Sequence, residues 1–187
     1  MSAIRTRHPA SAAQVGFTLL ELMTAITVLA ILLGIGVPAF TEMIASNRLT
    51  ATTNQMITAL NLARSESSKR GIPVTVCASN AAQNACDNDP TAWTAGWLVF
   101  TDDTGTAGTI DGTDELLQKF PAAPQGYTVV AADPNTMSHI RFLRSGAPDS
   151  ALLSRTLKLT RPSCSGTKAR QVIIANTGRI SSGKTAC

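Results

Sequence analysis

Histidine is nearly missing from these 187 residues: there are two, His8 and His139. His8 lies in a basic N-terminal stretch, and His139 stands at the start of an expected strand, where a surface residue is a simpler reading than a base. The motifs of common catalytic sites are also missing: no GxSxG, no HExxH and no phosphate-cradling glycine loop occurs. None of the four cysteines forms a CxxC, and their spacings fit no common zinc pattern. Asp102, Asp103, Asp111, Asp114 and Glu115 gather around glycines, but the D-x-[DN]-x-[DN]-G spacing of a calcium loop is absent, so a solvated turn accounts for them. These absences argue against an enzyme and give no reason to expect a metal or cofactor. Internal repeats and long low-complexity linkers are lacking too, and the length suits one domain with appendages.

One long apolar run is present. Mean hydropathy is +0.11, high for a soluble protein, and the excess sits in "GFTLLELMTAITVLAILLGIGVPAF". Residues 17–40 carry a single charge, Glu21. A helix of that length is roughly 36 Å long, enough to span a hydrocarbon core of about 30 Å. Before it come Arg5, Arg7 and no acid, a cytoplasmic flank by the positive-inside rule. The small residues "ASAAQVG" precede the apolar run, whereas a secretory signal is cut after it. A cut there would remove the basic leader and keep the helix; hydropathy alone favours an uncleaved anchor. A carboxylate in hydrocarbon is expensive and usually functional, so Glu21 needs a reason.

"GFTLLELM" resembles the type IV prepilin processing motif: Gly16, then Phe17, then Glu21 four residues on within an unbroken apolar tail. The resemblance implies cleavage between Gly16 and Phe17 by a dedicated prepilin peptidase and N-methylation of Phe17. It also implies that Glu21 pairs with the terminal amine of a neighbouring subunit during assembly. Such a pair would fix register, because breaking it costs about 3–5 kcal/mol.

The helix is expected to continue through 41–71, where Leu49, Met56, Leu60 and Ala63 recur at helical spacing. Gly71 is the expected C-cap, with Lys69 and Arg70 in the last turn. Gly34, Gly36 and Pro38 are expected to break or weaken the helix, and Thr50, Thr52, Thr53 and Asn54 to bend it. Strands are expected at 72–79, 96–103, 127–132, 139–146, 154–162 and 170–181, with the weakest order at 80–90 and 104–112. One long helix followed by strands gives an α+β class. The pieces are a leader (1–16), a membrane and assembly helix (17–40), its amphipathic second half (41–71) and an antiparallel β-rich head (72–187).

"GWLVFTDDTGTAGTIDGTDELLQ", the later "NTGRIS" and a terminal Cys187 are similar to the GspH/FimT/FimU group of minor pilins and pseudopilins. That resemblance implies a minor structural subunit of a type IV pilus or a type II secretion pseudopilus, held in the inner membrane with a periplasmic head. Its partners would be other pilins or pseudopilins. An exported head folds where disulfides persist. Cys77 is expected to pair with Cys86 and Cys164 with Cys187, because these are nearest in sequence and flank expected loops. Four cysteines allow three pairings and sequence does not choose among them.

Charge is unevenly placed. Residues 80–138 hold eight acids and one base, while residues 139–187 hold nine bases and one acid. The first reading of this split is assembly, acidic faces of one pilin meeting basic faces of the next. The second is non-specific binding of double-stranded DNA during uptake, drawing on Arg141, Arg144, Arg155, Lys158, Arg161, Lys168, Arg170, Arg179 and Lys184. Lys168, Arg170, Arg179 and Lys184 are its leading candidates. The DNA-binding branch of the group resembles a Gly-Arg-x-Arg signature; Gly178 and Arg179 match, but Ser181 replaces the second arginine. Phe142 is the one aromatic in 139–187, so base stacking is not suggested. Assembly is the favoured reading.

Overall fold

The computed structural model describes residues 16–132, 137–149 and 155–187. The expected leader lies outside them, apart from Gly16. The described residues fall into two compact units, divided between Thr41 and Glu42.

Helix α1 (Leu19–Arg70) supplies the secondary structure of the first unit and runs into the second. At its start the Thr18 hydroxyl accepts the Glu21 N–H at 3.2 Å. Thr18 is therefore an N-cap and Glu21 the third helical residue, the spacing of a capping box. Phe17 is 83 % exposed, and the large apolar side chains from Leu19 to Phe40 all lie on the surface of this unit. The expected break does not occur: the helix passes through Gly34, Gly36 and Pro38. Proline forfeits one backbone hydrogen bond, and the Pro38 carbonyl still accepts the Thr41 hydroxyl at 2.9 Å. In a 52-residue helix the cooperative backbone bonds on either side of Pro38 outweigh the one that is lost.

In the second unit α1 buries Leu49, Thr52, Thr53, Met56, Ala59, Leu60, Ala63 and Ser67, steps of three and four that mark one face. The threonines do not interrupt the helix. The Thr50, Thr52 and Thr53 hydroxyls bond the carbonyls of Ser46, Arg48 and Leu49 at 3.0, 3.1 and 2.8 Å. Gly71, at φ +68°, ends the helix in the left-handed conformation that favours glycine.

Eight strands follow: β1 (Val74–Ala78), β2 (Trp97–Thr101), β3 (Leu116–Phe120), β4 (Thr128–Ala131), β5 (His139–Phe142), β6 (Arg155–Thr160), β7 (Ala169–Ile174) and β8 (Ile180–Thr185). They form two antiparallel sheets, ordered β3-β2-β1-β5 and β4-β6-β7-β8. Their inner faces join the helix in one core around Met56, Leu60, Trp93, Trp97, Ile140 and Leu157. The buried Trp93 indole donates to the Met137 carbonyl at 2.9 Å, so this large apolar side chain carries no polar penalty.

Two strand expectations need correction. β3 has no counterpart among the expected strands: "LLQKF" does not alternate, and in the structure only its Phe120 is buried. The single strand expected at 170–181 is two, β7 and β8, joined by a turn in which Ala175 bonds the Arg179 carbonyl at 2.9 Å. Gly178 permits that turn: it has φ +76°, and a Cβ there would lie 2.1 Å from the Gly146 carbonyl oxygen. Cys77 is joined to Cys86, and Cys164 to Cys187. The second bridge ties down the chain end, whose carbonyl accepts Lys158 Nζ at 2.8 Å.

Candidate functional site

The N-terminal segment presents Gly16, Phe17 and Glu21 in a row. A Cβ on Gly16 would touch nothing, so the chain itself does not require glycine there. Glu21 sits in the first turn, where a carboxylate complements the helix N-terminus. Among the described residues it has no cation within ion-pair distance.

The acidic residues are largely built into the head. Asp102 is buried; its carboxylate accepts the Thr75 hydroxyl at 2.5 Å and the Gly108 N–H at 2.9 Å, and Arg141 Nε lies 3.3 Å away. Arg141 also donates to the Asp102 carbonyl at 2.6 Å and pairs with Asp149 at 3.2 Å. Asp111 accepts the Thr106 N–H, and Asp114 the Asp111 N–H. These are turn-forming carboxylates. Burial pushes the Asp114 carboxyl above its ordinary range. Among the described residues no group of three or more His, Cys, Asp or Glu could hold a metal. The His139 ring packs against Gly108, and burial lowers its pKa. Residues 104–112, expected to be weakly ordered, are thus cross-linked by side chains to β1 and β5.

The basic residues do not form one lobe. Arg161, Lys168, Arg170 and Lys184 gather around Glu42 and Ser46 of α1, lining a cavity of about 110 Å³. Glu42 pairs with Arg161 and, at 2.8 Å, with Lys168. Arg179 lies at the other end of β7, in the turn held against the Gly146 turn and Arg64 of α1. Arg64 donates to the Thr177 carbonyl at 3.3 Å, and Arg144 lies in the turn just before Gly146. Arg155 is buried and donates to the Asp149 carbonyl. Of the four leading DNA candidates, the structure therefore groups Lys168, Arg170 and Lys184 and separates Arg179 from them. Sequence reasoning missed Glu42 entirely: it stands 119 residues from Arg161 on an element that shows no acidic motif.

Arg161 and Lys168 hold the Glu42 carboxyl down at about 2, against an ordinary 4.5. Because the folded value is depressed, the stability this ion pair adds is complete above about 4.5 and is lost as pH falls toward about 2. In thermal melts from pH 5 to pH 2, Glu42→Gln should lose less stability than the wild type. Equal losses would count against the pair.

Residues 52–178, more than half of the chain, match the family model of the type II transport protein GspH. The chain belongs to the GspH family. Residues 13–37 match the prokaryotic N-terminal methylation motif, which covers Gly16, Phe17 and Glu21. Two crystal forms of the Pseudomonas aeruginosa (strain PAO1) type IV minor pilin FimU share the fold. One has a TM-score of 0.56 and 21 % identity, covering 76 % of this chain and 90 % of that one. The other has a TM-score of 0.50 and 20 % identity, covering 75 % and 91 %. A comparison with curated proteins finds no match. This GspH-family chain is thus a minor pilin or pseudopilin of the GspH/FimT/FimU group, a structural subunit and not an enzyme. Its family implies assembly with other pilins, and its methylation motif implies processing by prepilin peptidase.

Proposed function

We propose that the chain is made as an inner-membrane precursor with leader 1–16, is cut between Gly16 and Phe17, and is methylated at Phe17. Segment 17–40 then anchors it, 41–71 carries the head, and head 72–187 faces the periplasm until α1 enters a filament. Glu21 meets the terminal amine of a neighbour during that entry. The observation that carries this reading is the exposed apolar helix itself. Its side chains find no cover in this unit, and its one charge sits four residues past the Gly16–Phe17 junction. A membrane covers such a surface first and neighbouring helices cover it later. Gently sheared filaments from cells expressing the full chain should contain it, together with other pilins or pseudopilins. Its absence from filaments, with normal amounts in the membrane, would overturn the assembly role.

DNA uptake is the second reading, and the meeting of the Arg179 turn with Arg64 and the Arg144 turn favours it. Duplex binding there would be weak, non-specific and salt-sensitive, because each neutralised phosphate releases counterions. Arg179→Ala should reduce the slope of log K against log salt by about one. No gel shift at about 50 mM salt, where phosphate contacts are strongest, would remove this reading.

A further inference from the structure

The cavity around Glu42 is unevenly charged. Arg161, Lys168, Arg170 and Lys184 line it, and Glu42 is the one acid among its lining residues. The acid is already engaged: a single carboxylate oxygen, Oε1, takes both Arg161 and Lys168. Arg170 and Lys184 stand directly opposite each other on β7 and β8. Like charges so placed destabilise a sheet. Among the described residues neither has a carboxylate within ion-pair distance. The head therefore maintains an uncompensated pair of cations beside two others that Glu42 holds in place. That arrangement suits an oxyanion seated opposite Glu42, between Lys168, Arg170 and Lys184, with Glu42 repelling anything that approaches too closely.

Position decides which oxyanion. Glu42 follows the apolar run 17–40 by two residues, about 3 Å along a helix. Met43, next to it, is still an exposed apolar side chain. In a membrane-anchored subunit Glu42, on which the cavity is built, would stand next to the end of the membrane segment, where lipid headgroups lie. Its volume of about 110 Å³ admits a phosphate group.

We propose that the cavity formed by Glu42, Arg161, Lys168, Arg170 and Lys184 binds the phosphate of an anionic phospholipid. The bound lipid would hold the head against the bilayer before assembly and would be released when α1 leaves the membrane. This rests on the membrane-anchored reading given above.

The test uses the full chain extracted in an uncharged detergent and mixed with phosphatidylglycerol or phosphatidylcholine. Retained lipid is counted by native mass spectrometry. The wild type should retain phosphatidylglycerol over phosphatidylcholine by roughly tenfold, within what a few cations supply near an anionic surface. Arg170→Gln combined with Lys184→Gln should abolish that preference. Glu42→Gln should strengthen it, a gain that a misfolded head would not show. Equal retention of the two lipids by the wild type would overturn the proposal. So would an unchanged preference in the double variant, or a weakened one in Glu42→Gln. Inorganic phosphate and a short DNA duplex serve as competitors. Displacement of the lipid by millimolar phosphate would reassign the cavity to free phosphate, and displacement by the duplex would reassign it to nucleic acid; either overturns the lipid claim. Carbonate extraction of cell membranes separates the two levels. A chain that washes off fails as an anchored subunit, whereas one that stays without lipid preference fails only here.

Discussion

Glu21→Val should leave membrane insertion intact, or improve it, and should remove the subunit from filaments. The competing effects can be ranked. Losing the carboxylate costs the helix N-terminus about 0.3–1 kcal/mol. Removing a charge from hydrocarbon returns up to about 2.5–3.5 kcal/mol. The Thr18 cap uses the backbone N–H of residue 21 and survives the change. The monomer in the membrane therefore gains. In the filament, losing one partner of a buried ion pair costs about 3–5 kcal/mol, which is more than a hundredfold in subunit affinity. The ratio of chain in sheared filaments to chain in the membrane measures the outcome. Equal ratios for variant and wild type would show that Glu21 has no assembly role.

The second large effect is expected far from the helix. Asp102→Ala should destabilise the head by about 3 kcal/mol, since the buried Thr75 hydroxyl and Gly108 N–H would each be left unsatisfied at a cost of about 1–3 kcal/mol. The carboxylate joins β1 through Thr75, the following turn through Gly108, and β5 through Arg141. Thr75 and Gly108 would lose their acceptor at once, and Arg141 would keep only Asp149 as a carboxylate partner. For a chain of this size, that loss corresponds to a melting temperature lower by about 10 °C. Asp103→Ala, one residue along and exposed, should change little. Similar melting temperatures for the two variants would mean that Asp102 does not organise this loop.

Some of this molecule was legible in the residues and some was not, for physical reasons. The apolar run, Gly16, Phe17 and Glu21 are local in sequence, and fixed spacing is what a linear reading detects. The buried face of α1 was legible because Leu49, Met56, Leu60 and Ala63 repeat at helical spacing. β3 was hidden because it is an edge strand with little burial, where polar residues such as Gln118 and Lys119 face water. The turn between β7 and β8 is hard to see in the sequence although Asn176 and Gly178 are turn residues, because Ile173, Ile174 and Ile180 on its two sides look like one run. The two basic clusters were illegible for a different reason. Counting charge along the chain merges residues that antiparallel pairing places at opposite ends of one sheet: Arg170 faces Lys184, while Arg179 sits beyond Ile174. The link from Glu42 to Arg161 depends on how the head folds back onto α1, and no local pattern records it.

The intact mass of the chain recovered from membranes and filaments tests the central claim most directly. The recovered chain should begin at Phe17, carry one added methyl group on its terminal amine and lack residues 1–16. Gly16→Arg should abolish that product and leave the full-length precursor in the membrane, because a pocket for a hydrogen side chain cannot take a long charged one. A wild-type chain that retains its leader in assembled filaments would contradict the account.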